Sequence, residues 1–530
     1  MIVVSNIITS LNDDENVIFE KVNKIINLSK KDVIDTFIIK SSIDARHRKM
    51  PQFVSSVGIV TNKNEKKFVE NLNNKNISYR DTEIKLPSFE FGKEKIINRP
   101  IVIGFGPAGM FAGLILAQNG YKPIIFERGN DVDNRVKDVE EFWKIGKLNV
   151  KSNVQFGEGG AGTFSDGKLT TRINDPLCEF VLRELVKFGA PKEIIQKSKP
   201  HIGTDNLRNV VKNIKTEIIR LGGEVHNFSQ LTDIQFDSNN RIKQIKINNS
   251  PIPCSALILA IGHSARDTFE MLIEKSIAIE VKPFSIGVRI EHLQSEIDKG
   301  LYGKYSNHPL LPKGEYQLSL RDDGRAVYTF CMCPGGLVVP SSSENETVVT
   351  NGMSEFARNR DNANSALVVS VSQADFGNSP QKAIDFQRKY EKLAFNYGGK
   401  NYSAPAQTVG CFLNSKTGLE LNRISPSYSL GVKACDFNEI FPNEISDMLR
   451  NGLVNFNKKI SGFAADDAVL TGIETRTSSP IRILRDDSCQ SISIKGLYPC
   501  GEGAGYAGGI MSAAVDGIRC AIELMKKYKS

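Results

Sequence analysis

A run of apolar residues that leads directly into three spaced glycines is the feature that most constrains this chain. Residues 101–103 are Ile-Val-Ile, and residues 104–109 follow as Gly-x-Gly-x-x-Gly. A second apolar run, residues 124–126, ends in an acid, Glu127. The first two glycines of such a pattern permit a tight turn and close approach of the backbone to a pyrophosphate, and the third lets a helix pack on the strand. The order therefore predicts a βαβ unit that binds a dinucleotide, rather than a fortuitous glycine-rich turn.

The connecting segment has the marks of a helix. We expect it to run from Pro107 to Asn119 and to be closed by Gly120. The carboxylate of Glu127 is then expected to accept hydrogen bonds from both ribose hydroxyls of an adenosine.

Length and charge limit the other classes of function. A chain of 530 residues is longer than one core usually organises, so two or three domains are expected. No apolar run is long enough to span a bilayer, and the first residues lack the basic start of a secretory signal, which predicts no membrane partner and a cytoplasmic location. The net charge of +8 is spread thinly. Short basic runs such as 46–49 and 526–529 are interpreted as solvated surface, so no nucleic-acid partner is expected, whereas an anionic substrate is compatible.

The cysteines and histidines do not form a metal pattern. Nine cysteines without a Cys-x-x-Cys spacing argue against a disulfide framework and against a zinc site, and the six histidines are scattered. The sequence therefore predicts no metal. In a strand, Cys331 and Cys333 would share one face, which could support redox chemistry, but buried reduced thiols are the favoured interpretation.

Residues 1–90 are predicted to form a separate α+β module. Strand patterns at 2–9, 36–42, 52–61 and 76–86 and helix patterns at 15–27 and 65–73 give a βαββαβ order, typical of a ferredoxin-like sandwich. The charged, Pro-containing linker 87–100 follows.

The dinucleotide-binding domain is predicted to be Rossmann-like α/β, assembled from residues 96–265 and 481–530. Thr204 is expected to cap a helix that runs to Leu221. A β-meander with strands at 232–236 and 242–247 follows, and residues 256–262 have the wholly apolar pattern of a buried parallel strand. Residues 266–480 interrupt this pattern and are interpreted as an inserted, mixed α+β substrate domain.

Three further glycine-rich elements point to the same cofactor. Residues 156–168 place five glycines between aromatic and polar side chains, so main-chain N–H groups can converge on an anion or a flat ring. Residues 501–511 precede the last predicted helix, whose first turn offers free N–H groups and positive partial charge. The third element is the strand end at Gly262.

Several of these motifs carry a resemblance to a known family. The fingerprint, Glu127-Arg128-Gly129 and the loop at 501–505 resemble the FAD-binding pattern of glutathione-reductase-like flavoproteins. More narrowly, residues 153–163, 330–336, 474–480 and 501–512 resemble an uncharacterised bacterial family of FAD-dependent dehydrogenases. The resemblance spans essentially the whole chain and implies FAD as cofactor and an oxidoreductase activity, without a substrate. A second dinucleotide fingerprint and a redox Cys pair at the flavin, as in the disulfide reductases, are not found.

The resemblance also implies roles for particular residues. It implies that the glycine-rich turn binds the pyrophosphate, that Glu127 binds the ribose, that Arg135 lies near the phosphates and that the backbone of Leu231 contacts adenine. The residues expected to bind FAD are Gly104, Gly106, Pro107, Ala108, Gly109, Glu127, Arg128, Arg135, Gly160, Gly162, Thr163, Ser165, Asp166, Lys168, Leu231, Gly262, Gly501, Glu502, Gly508, Gly509, Ile510 and Met511.

Two residues are candidates for catalysis. His263 is a candidate proton donor near the flavin ring, with a purely structural hydrogen-bonding role as the alternative. Arg476 is a candidate clamp for a substrate carboxylate, with an internal ion pair to Glu474 as the alternative. Lys168 and Arg289 are weaker candidates for the same anion contact.

The sequence thus predicts an FAD-dependent oxidoreductase that transfers a hydride between a small, anionic substrate and flavin N5, with NAD(P)H or another molecule as electron partner. One alternative is an NAD(P)H-dependent flavin reductase without a second Rossmann domain. The other is a flavin-bearing RNA-modifying or RNA-binding protein that uses residues 1–90 for docking. The oligomeric state is left open.

Overall fold

A computed structural model describes residues 1–46, 50–72, 74–81, 86–322 and 324–530. Residues 47–49 of the basic run, the last residue of the predicted helix 65–73 and residues 82–85 of the predicted strand 76–86 therefore lie outside the described residues. The mixed α/β class predicted from the sequence is confirmed.

The first eighty residues form a four-stranded antiparallel sheet in the order β2-β3-β1-β4, with apolar side chains of two helices in the same core. The elements are β1 Ile2–Ser10, α1 Glu15–Ile26, β2 Val33–Asp44, β3 Gln52–Thr61, α2 Glu65–Leu72 and β4 Ile77–Tyr79. This strand order is the one that a βαββαβ chain adopts in a ferredoxin-like sandwich. The edge strand β2 reaches the rest of the chain at Ser41, whose N–H donates to the oxygen of Gln196 at 2.8 Å.

A five-stranded parallel sheet in the order β24-β12-β6-β7-β8 lies at the centre of the second region. The elements up to residue 274 are β5 Glu94–Lys95, β6 Ile101–Ile103, α3 Pro107–Gln118, β7 Ile124–Phe126, α4 Val132–Ile145, α5 Leu177–Lys187, α6 Thr204–Arg220, β8 Glu224–His226, β9 Leu231–Phe236, β10 Ile242–Ile247, β11 Ser250–Pro253, β12 Leu257–Leu259 and α7 Arg266–Glu274. The chain returns to this sheet at its C-terminal end through β24 Leu497–Pro499, α13 Ile510–Lys527 and β25 Tyr528–Lys529.

Helices α3 and α13 pack closely because of one glycine. A Cβ at Gly517 would lie 2.1 Å from the oxygen of Ala108, so only glycine allows this approach of α13 to the start of α3. Every residue from Ala108 to Ala117 is buried, as expected for a helix between a sheet and a second helix layer.

A second large sheet of seven strands lies between the two parts of the parallel-sheet region, in the order β15-β16-β19-β14-β22-β20-β21. The elements are β13 Ile279–Val281, β14 Phe284–Leu293, α8 Gln294–Tyr302, β15 Ser319–Asp322, β16 Arg325–Cys333, β17 Leu337–Pro340, β18 Thr350–Met353, β19 Asn362–Val371, α9 Gln373–Phe376, α10 Pro380–Tyr397, β20 Ala404–Thr408, α11 Val409–Leu413, β21 Val432–Ala434, α12 Asn443–Lys459, β22 Val469–Glu474 and β23 Ile481–Ile483. All neighbours in the sheet are antiparallel except β20 and β21.

Strand β14 buries an apolar face and a polar face. Its even-numbered residues from Phe284 to Ile290 belong to the core that also contains side chains of α10 and α12. Its odd-numbered residues include Ser285, Arg289 and Glu291, which are at most 2% exposed. Because strand side chains alternate between the two faces, the second face is a buried row of polar groups. Such groups need partners there, and their arrangement belongs to the site described below.

The prediction that Thr204 caps α6 is wrong. The N-cap residue is Gly203, and Thr204 is the first residue of the helix. The Thr204 hydroxyl donates instead to the main-chain oxygen of Thr163, so it ties α6 to the second glycine-rich segment. None of the helices in the described part of the chain is long and apolar enough to cross a membrane.

Candidate cofactor and substrate site

The glycine-rich segments meet one another at the carboxyl end of the parallel sheet. A Cβ at Gly160 would lie 2.9 Å from Cα of Gly106, and a Cβ at Gly503 would lie 2.4 Å from the oxygen of Gly262. A Cβ at Gly501 would lie 2.7 Å from Cβ of Ala108. These contacts bring together segments that are up to about four hundred residues apart. The carboxyl edge of a parallel sheet is where such folds bind nucleotides.

The same segments also contain glycines that face open space. No atom lies within 4 Å of the position that a Cβ would take at Gly262, Gly508 or Gly509. Both helices that begin here, α3 and α13, have a glycine as N-cap and no side-chain cap, so their first N–H groups keep their capacity to bind an anion. A cradle of this kind, lined by main-chain donors and left open, fits a pyrophosphate and the ring attached to it.

Glu127 joins three of the loops that form this cradle. Its Oε2 accepts from the N–H of Phe105 at 2.8 Å, and its Oε1 accepts from the N–H groups of Gly129 and Gly157, both at 2.9 Å. A carboxylate has about four acceptor positions, so Oε2 retains one for a ribose hydroxyl. The structure therefore gives Glu127 a second role, which the sequence did not reveal, in fixing the loops themselves.

Arg135 is placed differently from what the resemblance implies. Its guanidinium is fully buried and donates to the main-chain oxygens of Asn153, Val154, Gly157 and Glu158. Burial lowers the pKa of Arg135 to about 10, against the opposing effect of nearby carboxylates. Four hydrogen bonds from its five N–H donors therefore hold residues 153–158 of the cofactor cradle in place.

Asp166 and Lys168 form part of a buried charge cluster. The Asp166 carboxylate pairs with Lys168 Nζ at 2.9 Å and with the guanidinium of Arg358, which also pairs with Glu315. Although burial raises it, Lys168 and Arg358 lower the pKa of Asp166 below its usual value. The cluster connects the second glycine-rich segment to the seven-stranded sheet, because Lys168 Nζ also donates to the main-chain oxygen of Met332.

The other predicted cofactor residues are located around the same edge. Arg128 stacks over the ring of Phe156 at 4.3 Å and pairs with Asp267. Leu231 is buried at the start of β9. Ser165 donates to the oxygen of Gly162 at 2.7 Å, and a Cβ at Gly162 would lie 3.0 Å from Ile510. The remaining members lie in the segments already described: Gly104, Pro107, Gly109, Thr163 and Met511.

His263 lies at this edge as a neutral side chain. Its Nδ1 is 3.1 Å from Oγ of Ser264, and that hydroxyl donates to Gln155. Burial, with the charges of Arg476 and Arg266, lowers the pKa of His263 to about 3. Its Nε2 is 3.9 Å from Glu502, whose own pKa is raised to about 7 by burial. At neutral pH the proton therefore resides on Glu502 more readily than on the histidine, which favours a hydrogen-bonding role for His263.

Arg476 is not paired with Glu474. Its guanidinium donates to both oxygens of Glu391, at 3.1 and 2.9 Å, and to Oγ of Ser343. Arg266 also pairs with Glu391, at 2.7 Å. Burial opposes ionisation of Glu391, but the two arginines outweigh it and lower its pKa. Because Glu391 and Ser343 already accept hydrogen bonds from the Arg476 guanidinium, Arg476 has no free pair of N–H groups for the predicted bidentate contact with a substrate carboxylate.

Glu474 instead faces Arg289, on the polar face of the seven-stranded sheet. Arg289 Nη1 lies 3.8 Å from Glu474 Oε1, and both side chains are buried. Burial raises the pKa of Glu474 to about 7, against the opposing charge of Arg289. Among the described residues, Arg289 Nη1 and Glu474 Oε2 have no hydrogen-bond partner, so each side chain of this pair has one polar atom that can still form a hydrogen bond.

A cleft of about 380 Å³ opens at strands β14, β15, β16 and β19 of the seven-stranded sheet. It is lined by Pro283, Phe284, Ser285, Arg321, Gly324, Ala326, Tyr328, Ser370 and Ser478. Among these described residues Arg321 alone is charged. The hydroxyls of Ser285 and Tyr328 are 2.7 Å apart, and Ser479, next to Ser478, donates to the oxygen of Gly503 at 3.2 Å. Ser478 of the cleft is thus the chain neighbour of a residue that contacts the loop following β24.

One group of side chains in the described residues has a spacing that a metal ion could accept, namely Cys500, Asp516 and Cys520. Asp516 is already bonded by the guanidinium of Arg485 through both oxygens and by the N–H of Gly501. A cation beside the carboxylate disfavours a divalent ion, so we interpret this group as structural.

The sequence interpretation missed four charged side chains that join distant segments of the chain, Glu391, Arg266, Arg358 and Glu315. Their partners are far away in the sequence, so no spacing could have identified them. It also missed Ser285 and Tyr328 of the cleft. For Ser285 a signal existed, because Ser-x-Gly-x-Arg-x-Glu at 285–291 alternates with apolar residues in a strand that is buried on both faces.

One family of known proteins matches the region of the seven-stranded sheet. Residues 283–477 match the family model described as "FAD-dependent protein, C-terminal domain-like". This match confirms the prediction of FAD as the cofactor, and the open cradle of main-chain donors fits that group.

A bacterial protein of nearly the same length is similar to this chain over almost its whole length. An uncharacterised protein of Clostridium beijerinckii is 52% identical over 528 residues, which cover 99% of this chain and 98% of that protein. The chain belongs to the same family as this protein.

Solved structures also match, at low similarity. CtdE in complex with FAD is 13% identical and has a TM-score of 0.31, with 81% of this chain and 86% of that chain covered. Glycine oxidase from Bacillus cereus is 10% identical and has a TM-score of 0.35, with 82% and 96% covered. These TM-scores are too low to support an argument about the fold, which rests on the sheet topology described above.

Proposed function

We propose that this protein is an FAD-dependent oxidoreductase that transfers a hydride between a small, anionic substrate and flavin N5. The observation that carries the proposal is the meeting of four glycine-rich segments around one open cradle, at the carboxyl edge of a parallel sheet. Bound FAD supplies the hydride chemistry.

The proposal includes a division of the chain into domains. Residues 1–90 form a ferredoxin-like module, residues 96–265 and 481–530 form a Rossmann-like FAD-binding domain, and residues 266–480 form an inserted substrate domain. The sheet orders support this division, because strands from both proposed parts of the FAD-binding domain pair in one parallel sheet.

The cleft lined by Ser285, Arg321 and Tyr328 is the proposed substrate site. Arg321 supplies the positive charge that orients an anion, and the hydroxyls of Ser285 and Tyr328 offer hydrogen bonds. Tyr328 stays protonated at neutral pH, because burial raises its pKa. Glu502 lies in the loop that follows β24, and burial raises its pKa to about 7, so it can exchange a proton near neutral pH.

The test is anaerobic reduction of the FAD-loaded full chain. Small carboxylic acids, amino acids, amines, NADH and NADPH are added separately, and bleaching of the visible flavin absorbance is followed. We expect a small carboxylate to bleach the flavin. The variant Arg321→Met should raise KM for it by about tenfold, since one charge-assisted contact is lost.

Arg183→Met is the matched control, because Arg183 lies on the exposed side of α5 and pairs with Glu179. Bleaching by NADH or NADPH alone would replace the proposal with the flavin-reductase alternative. An unchanged KM in Arg321→Met would remove the cleft from the substrate site.

A further inference from the structure

The segment Cys331-Met332-Cys333 has no role in the proposed function, yet its backbone is irregular. Strand β16 pairs with β19 as Phe330 with Ala366 and Cys333 with Asn364, so β16 contains one extra residue between these pairs. Cys331 has a φ of 45°, in the left-handed region that residues other than glycine rarely adopt. Bulges and strained residues of this kind change the direction of side chains and concentrate at functional sites.

The bulge turns the Cys333 thiol back toward Cys331, since its Sγ lies 3.4 Å from the main-chain oxygen of Cys331. The hydrogen bond with the Cys331 thiol lowers the pKa of Cys333 to about 6, against burial and with the help of Arg289. The same contact, with burial, raises the pKa of Cys331. Negative charge on the pair is thus favoured on Cys333, and a thiolate beside a thiol is the state from which a disulfide forms.

Charged groups from several elements face this pair. Arg289 Nη2 of β14 lies 2.9 Å from the oxygen of Cys331 and 3.8 Å from Sγ of Cys333. Lys168 adds a second positive charge, while Asp166 and Glu474 oppose the two cations. The sulfur of Cys333 is buried, whereas Cys331 is partly exposed. A thiolate is thus stabilised on the inner cysteine, and the outer one remains accessible.

The pair also lies against a loop of the cofactor cradle. Lys168 closes the glycine-rich segment 156–168, and its Nζ donates to the oxygen of Met332, between the two cysteines. Arg358 pairs with Asp166 of the same segment. The bulge is therefore held in contact with the segment that would lie beside the flavin.

We propose that Cys331 and Cys333 are a redox-active dithiol that exchanges electrons with the bound flavin, a proposal that rests on the FAD-dependent function above. In the oxidising direction, the Cys333 thiolate attacks the sulfur of Cys331 as an S–S bond forms. Two electrons and the thiol proton of Cys331 pass to oxidised FAD, which ends as the anionic two-electron-reduced flavin. One negative charge and one proton stand on each side, so the step balances. The pair would thus connect the flavin to its electron partner, which we place in the class of thiol or disulfide compounds that exchange with the accessible Cys331.

The first measurement needs no variant. The full chain, holding FAD, is oxidised in air, unfolded in guanidinium chloride, alkylated with iodoacetamide before and after thiol reduction, and analysed by mass spectrometry of the peptide with residues 331–333. Unfolding makes the buried Cys333 as accessible as Cys331. We expect both cysteines to resist alkylation until the reductant is added.

The second measurement counts electrons. Anaerobic titration of the air-oxidised chain with dithionite should consume about twice as many electrons per FAD as titration of Cys331→Ser, because flavin and disulfide are each two-electron couples. Cys411→Ser is the matched control, since Cys411 is a buried cysteine outside this cluster and should leave the count at the wild-type value. Visible absorbance of the flavin confirms that each variant is loaded.

Two results would overturn the inference, and they are distinguishable. A chain that holds FAD, takes up electrons for the flavin alone and keeps both thiols open to alkylation in air has no dithiol couple, while the proposed function stands. A chain that cannot be loaded with FAD refutes the cofactor, and the exchange with it.

Discussion

Replacing Glu127 with Ala is the most direct test of how the cofactor cradle is held. The substitution removes the acceptor of three buried N–H groups, those of Phe105, Gly129 and Gly157. A hydrogen bond to a charged group contributes about 1.5–3 kcal/mol, and water entering from the open side replaces part of it. We therefore expect the free energy of unfolding of the apoprotein to fall by about 3–5 kcal/mol.

The affinity for FAD should fall as well, because the ribose loses its charged acceptor and the three loops lose their common anchor. A loss of about 1.5–3 kcal/mol corresponds to a Kd raised roughly 10- to 150-fold. Fluorescence of released FAD measures the Kd, and urea denaturation measures stability. Glu127→Gln keeps one acceptor oxygen and should lie between wild type and Ala. Glu141→Ala, on the exposed side of α4, is the control. A Kd for Glu127→Ala within twofold of the wild-type value would refute this account of the site.

Three further predictions concern burial, protonation and domain structure. Glu391→Gln leaves two buried arginines without their anion and should cost about 3–5 kcal/mol of unfolding free energy at neutral pH. The cost should shrink as the pH falls below about 4, because the Glu391 carboxylate of the wild-type chain, whose pKa is lowered by the two arginines, then begins to be protonated as well. Urea denaturation at several pH values checks both expectations. Glu502→Gln should remove the loss of stability that the wild type shows as pH rises toward about 7, since burial raises the pKa of Glu502, and a pH-independent difference in Tm between the two chains would contradict this. A chain that starts at Lys93 should still bind FAD, because it keeps strand β5 and every glycine of the cradle; apoprotein alone after refolding, beside a full chain that binds FAD, would show that the N-terminal module belongs to the cofactor fold.

Local patterns predicted much of the secondary structure, because they depend on near neighbours in the chain. The helix after the glycine fingerprint runs from Pro107 to Gln118, one residue short of its predicted end, and strand β10 has its predicted bounds. The helix at Thr204 was displaced by one residue, since both a threonine and the preceding glycine are acceptable N-caps and the choice depends on the distant oxygen of Thr163.

The long-range partners of charged side chains could not be predicted from the sequence. Arg476 has a carboxylate two residues away, yet it pairs with Glu391, 85 residues distant, because the fold brings α10 to the end of β22. Arg135 looked like a phosphate ligand from its family position, and its four carbonyl partners become visible only when the loop 153–158 is folded around it. Spacing identifies which residues are present at a site, but burial decides which of them remain free to bind a ligand.

The ion cluster of Asp166, Lys168 and Arg358 would limit how the proposed substrate reaches the cofactor. Asp166 and Lys168 belong to the second glycine-rich segment, and Arg358 lies between β18 and β19, so the cluster joins the two regions of the chain. Hinge opening between these regions would leave buried charges without their partners, at a cost of several kcal/mol. A cost of that size leaves only a small fraction of the molecules open. We infer that substrate and product exchange while the two regions stay in contact, through side-chain and loop movements around the opening of the cleft at Tyr328.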